Sequence, residues 1–392
     1  MLRHHYVAAQ HDKMAVLVPV MLSGAKRSRS IPYLKFARPA QNCDSKASFF
    51  RGGHPMEMTK NQRKINWYRC PLPRETLAAL NQRSDFWGLL QTLGHLGLLA
   101  ATGAGAWYAA EHLALPWLLL ILFFHGTFYA FLLNGFHELC HSTVFKSKFL
   151  NYFFLRVFSF LGAYNHIHFW TSHAEHHKYT LHPPDDLEVV LPAQLRFVDF
   201  LKSAVVNPWG LYARYKATWR RARGKLEGEW ELAIFPESDP DKRRRLIRWD
   251  RFLLVGHALI VAVSLYFGLW MVPVLVTLAP FYGGWLLFLC NNTQHIGLQD
   301  DVPDFRLCTR TVILNPFFRF LYWHMNYHIE HHMYAGVPCY RLGKLHAAIK
   351  SDLPHCPQGL YEAWTEIAAI LERQKAEPDY EYVPELPTPV AA

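Results

Sequence analysis

Two long stretches of the chain are rich in apolar residues and contain no lysine or arginine: residues 84–145 and residues 252–305. Each stretch holds two apolar runs separated by a short turn, near residues 111–116 in the first and near Pro273 in the second. Each run is long enough for a helix that crosses a hydrocarbon core of roughly 30 Å. The pattern predicts an all-α integral membrane protein with four transmembrane helices in two hairpins.

Basic residues flank these stretches and are absent from the two short hairpin turns. Six of them, from Lys60 to Arg83, precede the first stretch, and a dense cationic segment from Arg214 to Arg251 lies between the hairpins. By the positive-inside rule, the N-terminus, the central loop and the C-terminus are cytosolic. A large soluble protein with buried helices is the alternative, but the paired run lengths and the cation asymmetry favour a multi-pass membrane protein.

Three further segments differ from the predicted spans. Residues 149–165 are apolar but are interrupted by Arg156, which predicts a re-entrant or interfacial helix. Residues 1–55 form an N-terminal extension that we expect to be disordered or a non-native upstream start. Residues 356–392 are expected to form an amphipathic helix, marked by Leu360, Trp364 and Ile367, followed by a proline-rich tail.

Histidines form three tight clusters that carry the candidate chemistry. With 23 histidines in 392 residues, an HxxHH pattern is expected roughly 0.08 times by chance, yet it occurs twice, with an HxxxH upstream. The clustered residues are His137 and His141, then His173, His176 and His177, then His328, His331 and His332. Such spacing predicts a metal site, because residues three and four apart share one face of a helix.

The number of histidines sets a lower limit on the number of metal ions. Neutral imidazole binds iron, zinc and copper alike, so the residue type alone does not select the metal. Eight imidazoles are too many for one tetrahedral zinc ion, so at least two metal ions are implied. All three clusters lie just beyond or between the predicted spans on one membrane face, where they can meet in a helical cytosolic cap.

At HELCH, HAEHH and HIEHH, taken in this order, the chain resembles the membrane fatty acid desaturase and hydroxylase superfamily of non-haem di-iron enzymes. The resemblance runs from about residue 86 to residue 354, and it assigns residues 56–355 to a desaturase-like membrane domain. It implies that the eight clustered histidines hold two non-haem iron ions. The resemblance also implies a ninth ligand, His295, at the end of the fourth predicted span. Asn291 lies four residues earlier and has two interpretations: it contacts a metal ion, directly or through water, or it is a polar residue at the helix end.

The resemblance implies an O2-dependent oxidoreductase that attacks an unactivated C–H bond of a lipid or fatty acyl chain. Desaturation is the commoner outcome in the family, whereas QHIGL at residues 294–298 is similar to a segment of alkane hydroxylases, so hydroxylation is the alternative. A hydrolase has no use for nine ligands, and a metal transporter places its ligands within the spans. Residues 51–55 read RGGHP and lack the His-Pro-Gly-Gly motif of a fused cytochrome b5 domain, so a separate carrier of the ferredoxin or cytochrome b5 type is expected to supply electrons.

Other charged and polar residues are open to more than one interpretation. Carboxylates that could orient metal-bound imidazoles are Glu138, Glu175, Glu330, Asp185, Asp186, Asp300 and Asp301. Histidines left out of the predicted ligand set are His95, His125, His166, His168, His182, His257 and His324. The basic charge, with a pI near 9.2, lies next to predicted spans and lacks a base-reading motif, so no nucleic-acid partner is expected.

Overall fold

The computed structural model describes residues 63–191, 195–377 and 380–387. In these ranges the chain forms α-helices joined by turns and short 3-10 segments, and it forms isolated β-bridges but no β-strand. The predicted all-α class is therefore confirmed. The predicted N-terminal extension, residues 1–55, lies outside the described residues.

We number the α-helices in chain order. The first group is α1 (Arg74–Leu80), α2 (Asp85–His112), α3 (Leu115–Ala130), α4 (Leu132–Cys140), α5 (Lys148–Leu161) and α6 (His166–Tyr179). The second is α7 (Phe197–Ala204), α8 (Pro208–Ala222), α9 (Glu229–Ile234), α10 (Pro240–Tyr266), α11 (Met271–Leu275) and α12 (Trp285–Asn291). The third is α13 (Phe305–Cys308), α14 (Pro316–Leu321), α15 (His328–Met333), α16 (Leu342–Ile349) and α17 (Leu360–Ala376).

Helices α2 and α3 pack against each other where the sequence predicts the first hairpin. Helix α3 continues through Phe131 into α4, so that Leu115–Cys140 forms one helical stretch of 26 residues. Among the described helices, this stretch alone is both long enough and apolar enough to cross a bilayer, judged by length and composition. The arrangement of four transmembrane helices therefore stays a prediction.

The second predicted hairpin differs from the expected pair of continuous helices. Helix α10 contains the third apolar run, but the fourth run is divided into α11, a 3-10 turn at Ala279–Phe281, and α12. Pro280 lacks a backbone N–H, and Gly283 has a φ of 66°, which favours glycine. A Cβ at Gly283 would lie 2.6 Å from the carbonyl oxygen of Phe123. The fourth run therefore does not form one continuous helix, because the chain turns sharply to pass close to α3.

A buried glycine next to the first histidine cluster allows close helix packing. A Cβ at Gly135 would lie 2.5 Å from the rings of both Phe158 and Trp323. The indole N–H of Trp323 donates to His95 Nδ1 over 2.8 Å, so the Nε2–H of His95 donates to the carbonyl of Phe128, 3.0 Å away. These contacts join α2 to α3 and to the segment that precedes the third histidine cluster.

Two helices form where the sequence predicts non-spanning structure. The apolar segment interrupted by Arg156 forms α5, and its 14 residues are fewer than the roughly 20 that a spanning helix needs. The amphipathic segment near the C-terminus forms α17, which buries Ala363, Ile367 and Ile370 against the rest of the protein. Helix α5 thus lies within the predicted membrane domain without the length of a span, and α17 follows that domain.

Candidate metal centre

Nine histidines converge from four places in the chain. Helix α4 supplies His137, and its C-cap residue is His141. Helices α6 and α15 supply three residues each, and the turn after α12 supplies one. The residues are His137, His141, His173, His176, His177, His295, His328, His331 and His332. Helix α6 begins at the N-cap Asn165, whose side-chain oxygen accepts from the backbone N–H groups of Ile167 and His168. This cap fixes the start of the helix that carries the central cluster.

Five of the histidines form a first group, which we name site A. Each offers one ring nitrogen, and these atoms all lie within 4.8 Å of one another. Its members are His137, His141, His173, His177 and His331. The Nε2 atoms of His137 and His173 are 2.6 Å apart, and those of His177 and His331 are 3.1 Å apart. Site A thus joins the first, second and third clusters.

The second group, site B, consists of His176, His295 and His332, whose ring nitrogens also lie within 4.8 Å of one another. His328 lies beside it, with its Nε2 atom 3.0 Å from that of His295 and 3.2 Å from that of His332. Sites A and B are adjacent, since the rings of His177 and His332 stack with centroids 4.4 Å apart. The arrangement offers two neighbouring positions for metal ions.

Outer hydrogen bonds fix which nitrogen of each ring faces the centre. His173 Nδ1 lies 2.7 Å from Glu188, and His176 Nδ1 lies 2.8 Å from Asp186. His295 Nδ1–H donates to the carbonyl of Cys308 over 2.9 Å. When Nδ1 carries the proton, a neutral ring presents the Nε2 lone pair, which is the form that binds metal.

Three of the four Nε2–Nε2 distances, at 3.0, 3.1 and 3.2 Å, fit two nitrogens bound to one cation, whereas the His137–His173 distance of 2.6 Å is shorter. Two lone pairs that face each other at 2.6–3.2 Å repel unless a positive species lies between them. Two nitrogens that bind one metal ion at about 2.1 Å stand about 3.0–3.4 Å apart at the usual ligand angles. His141 Nε2 is buried and has no hydrogen-bond partner, as expected for a further ligand atom. The donor set therefore fits two metal ions held by imidazole.

Burial favours the neutral ligand form in the clusters that lie outside the predicted spans. It lowers the pKa of His173, His177, His328 and His331 well below the ordinary value, and that of His295 to about 3. Burial also opposes charge on His176, but the negative charge and hydrogen bond of Asp186 outweigh it and raise the pKa of His176.

Carboxylates inside the clusters have different roles. Glu138 Oε1 lies 3.2 Å from His137 Nδ1, within hydrogen-bond distance, and 3.4 Å from His331 Nδ1, which makes no hydrogen bond to the described residues. Glu330 instead contacts His346 Nδ1 and the hydroxyl of Thr311, each at 2.5 Å. Glu138 therefore orients the candidate ligand His137, whereas Glu330 attaches α15 to its neighbours.

The structure brings together all nine predicted histidines, eight of them in sites A and B and His328 beside site B. Asn291 Oδ1 accepts a hydrogen bond from Asn134 Nδ2 over 3.3 Å, and its metal contact stays a prediction. Among the loop aspartates, Asp186 contacts the ring of His176. Glu188 was missed in the sequence, because it lies 15 residues after His173, with no spacing that marks it.

Histidines left out of the predicted ligand set have other contacts. His168 Nε2 lies 3.6 Å from Glu231, and His257 Nε2 lies 3.0 Å from the carbonyl of Phe160. His182 Nδ1–H donates to the carbonyl of Thr180. None of these residues joins the metal-capable groups of the described chain.

Fold and site together define a helical protein with a buried, histidine-lined centre suited to two metal ions. Residues 112–362 match the family model described as fatty acid desaturase, and this match covers more than half of the chain. The chain belongs to the fatty acid desaturase family, within the membrane fatty acid desaturase and hydroxylase superfamily, as its three histidine clusters predict. It is thus an oxidoreductase of the lipid desaturase and hydroxylase type.

A curated relative supports the same assignment. The chain is similar to a protein named sphingolipid delta(4)-desaturase DES1-like from Oryza sativa subsp. japonica, with 24% identity over 305 residues. The aligned region covers 75% of this chain and 83% of the rice protein. The similarity therefore extends well beyond the histidine clusters.

Proposed function

We propose that the protein is an O2-dependent, di-iron membrane oxidoreductase that introduces a carbon–carbon double bond into a fatty acyl or other lipid chain. Hydroxylation of an alkyl or lipid-like substrate is the alternative outcome. The observation that carries the proposal is the pair of adjacent imidazole groups, sites A and B, in a member of the desaturase family.

Both sites supply the ligands that this chemistry requires. When bound, two iron ions activate O2 for the removal of hydrogen from an unactivated C–H bond. The histidines of sites A and B would hold the ions, and Glu138, Glu188 and Asp186 orient three of the rings from behind. The centre is buried, with His331 1% and His332 2% exposed, so surrounding side chains exclude bulk water from the reactive position.

A membrane location is supported by the outer surfaces of the long helices. Leu90 and Leu93 on α2, Trp117 on α3, and Leu259 and Val263 on α10 are each about half exposed or more. Apolar patches of this kind are unusual on the surface of a soluble monomer and are suited to lipid. We propose a multi-pass protein with its metal centre on the cytosolic face, which follows from the distribution of basic residues.

Desaturation is favoured by the family match and by the relative named as a sphingolipid desaturase. Both reactions begin with removal of one hydrogen atom. The outcome depends on whether a second hydrogen leaves from the neighbouring carbon or an oxygen atom is returned to the first. The substrate pocket decides between them, while the histidines serve either reaction.

The test is expression in a host with defined lipids, followed by mass analysis of extracted acyl chains and metal analysis of the purified protein. We expect about two irons per chain and a product that has lost two hydrogens. A product that has gained one oxygen would assign the protein to the hydroxylases. Stoichiometric zinc with full activity after removal of iron would overturn the di-iron proposal.

A further inference from the structure

Three aromatic rings lead from the surface to site B. The indole of Trp67 stacks on Phe305 with ring centroids 4.0 Å apart and planes 9° apart. Phe305 lies 5.4 Å from the ring of the site B ligand His332. Trp67 is partly exposed, whereas Phe305 and His332 are 1% and 2% exposed. The series therefore begins at solvent and ends on a metal ligand.

The outer ring is held by contacts on both sides. Trp67 Nε1–H donates to the carbonyl of Lys178, at the end of the helix that carries the second histidine cluster. The next residue, Tyr68, donates its backbone N–H to Pro303 over 2.9 Å and its hydroxyl to Asp352 over 2.6 Å. The guanidinium of Arg306 lies 3.9 Å from the centroid of the Tyr68 ring. These contacts hold the indole against Phe305.

A second connection joins the same indole to the same ligand. His182 meets Trp67 edge to face, with ring centroids 5.3 Å apart, and its Nδ1–H donates to the carbonyl of Thr180. The Thr180 hydroxyl lies 3.1 Å from His332 Nδ1 and donates to the carbonyl of His176. Two short routes thus run from Trp67 to site B, one through the rings of Phe305 and one through the ring of His182 and the hydrogen bonds of Thr180.

Three basic residues lie within four positions of Trp67 in the chain, and a fourth, Lys178, accepts the indole N–H at its carbonyl. Arg63, Lys64, Arg69 and Lys178 are all exposed. A guanidinium nitrogen of Arg63 lies 3.5 Å from a carboxylate oxygen of the exposed Asp301. Such a surface ion pair is weak, so it leaves the Arg63 side chain available to a partner. A partner that approaches Trp67 therefore meets a basic rim, which attracts an acidic protein over several ångströms.

We propose that the surface around Trp67 is the docking site for an acidic one-electron carrier protein, and that Trp67 and Phe305 conduct its electrons to the metal ion at site B. The inference rests on the proposed di-iron function. In each transfer the carrier is oxidised by one electron and one metal ion is reduced from ferric to ferrous. Two transfers, with two protons and the two hydrogens taken from the substrate, balance the reduction of O2 to two waters.

The experiment compares two reductants on the purified, iron-loaded protein. Reduced plant-type ferredoxin and reduced soluble cytochrome b5 test the carrier route, and dithionite tests the metal centre directly. In Trp67→Leu and Phe305→Leu, we expect the rate of reduction by at least one carrier to fall about tenfold, a barrier increase of about 1.4 kcal/mol. Iron content and reduction by dithionite should remain near those of the unmodified protein, and Trp67→Phe, which preserves the stacked ring, should retain most of the carrier rate.

A charge-reversal pair tests the docking surface. In Lys64→Glu/Arg69→Glu, the carrier rate at low salt should fall about tenfold, and the difference should shrink as salt rises. The matched control is Arg245→Glu/Arg248→Glu, which reverses the same charge at exposed positions of α10. A fall in the control alone would place the carrier on α10 and overturn the proposal.

Further outcomes distinguish this inference from the proposed function. Trp170 is 41% exposed and meets the site A ligand His141 with ring centroids 5.2 Å apart, so it offers a competing entry point. Slower carrier reduction in Trp170→Leu, with no change in Trp67→Leu, would overturn the inference. Equal losses with carrier and dithionite, or a loss of iron, would give Trp67 only a structural role. Absence of iron from the unmodified protein would overturn the proposed function itself.

Discussion

Helix α6 carries two buried polar clusters that differ in how their charges are balanced. At its start, His168 meets an ionic cluster in which Arg221 pairs with Asp250 over 2.9 Å and Glu231 pairs with Arg220 over 2.7 Å. Two turns later, the same helix supplies His173, His176 and His177 to the metal centre. In the ionic cluster each buried carboxylate is paired with an arginine, so the cluster needs no further ion.

The metal centre has no such balance within the described chain. Four carboxylates lie in or behind it, and their recorded ion pairs are to histidine. They are Glu138, Asp186, Glu188 and Glu330. Most of the imidazoles are held neutral by burial, and burial also raises the pKa of Glu138 and of Glu188 to about 7, so these carboxylates lack a permanent counterion and favour protonation unless a cation is bound. A buried negative excess is costly, and two metal cations would relieve it. In the ionic cluster the arginines balance the buried carboxylates, whereas the histidine cluster would reach charge balance by binding metal cations.

The largest effect should come from removing one ligand. His176→Ala takes an imidazole from site B, so we expect iron to fall to about one per chain and activity to fall by more than the 10–100-fold typical of outer partners. His168→Ala is the matched control, because it removes a buried histidine from the same helix but from the ionic cluster. Metal analysis and product assays compare them; equal iron loss in both variants would contradict the distinction between the clusters.

The next effect should appear in stability. Arg221→Met leaves Asp250, which is 0% exposed, without its main partner, and breaking a buried pair in this way costs about 3–5 kcal/mol. We expect a clear fall in the thermal unfolding midpoint in detergent, with the iron content of the folded fraction unchanged. The double variant Arg221→Met/Asp250→Leu should recover much of the loss. A double variant no more stable than the single one would show that charge balance is not what this cluster provides.

A smaller effect should follow from changing an outer carboxylate. Glu188→Gln keeps the size of the side chain but removes the charge behind His173, and loss of such a partner costs about 10–100-fold in metal affinity or activity. Competition with a graded series of chelators measures the affinity. Glu227→Gln serves as the control, since Glu227 is exposed and pairs with Arg220 in the other cluster. Unchanged iron affinity in Glu188→Gln would remove the carboxylate from the metal site.

These clusters also show which features a sequence can reveal. Spacing within each of three short segments predicted eight candidate ligands, because neighbours at three and four residues converge on one face of a helix. His295 was identified through family resemblance, since a single histidine carries no spacing signal. Glu188 was not predicted as a partner of His173, because their contact depends on the path of the loop after α6, which local sequence patterns do not determine.

The fold shows the same division between local and tertiary control. The helical class and the first hairpin follow from long apolar runs, which are local properties of the chain. The fourth run is equally apolar, yet Gly283 and its close approach to Phe123 divide it. Hydropathy counts side chains and does not record where two backbones must pass close together. A break of this kind is therefore visible only once the neighbouring helix is in place.

The smallest effect should come from Trp230, which links the two clusters. The indole N–H of Trp230 donates to the hydroxyl of Ser172 over 3.0 Å, and this hydroxyl donates to Glu188 over 2.5 Å. Glu231, which follows Trp230 in the chain, belongs to the ionic cluster. Trp230→Phe keeps most of the packing and removes one hydrogen bond, which is worth about 1 kcal/mol. We expect less than about a tenfold loss of iron affinity, with a small fall in the unfolding midpoint. Combined with Glu188→Gln, the change should add little further loss of iron affinity, because Trp230 acts on the metal through Ser172 and Glu188. Full additivity of the two losses would show that the clusters are joined by another route.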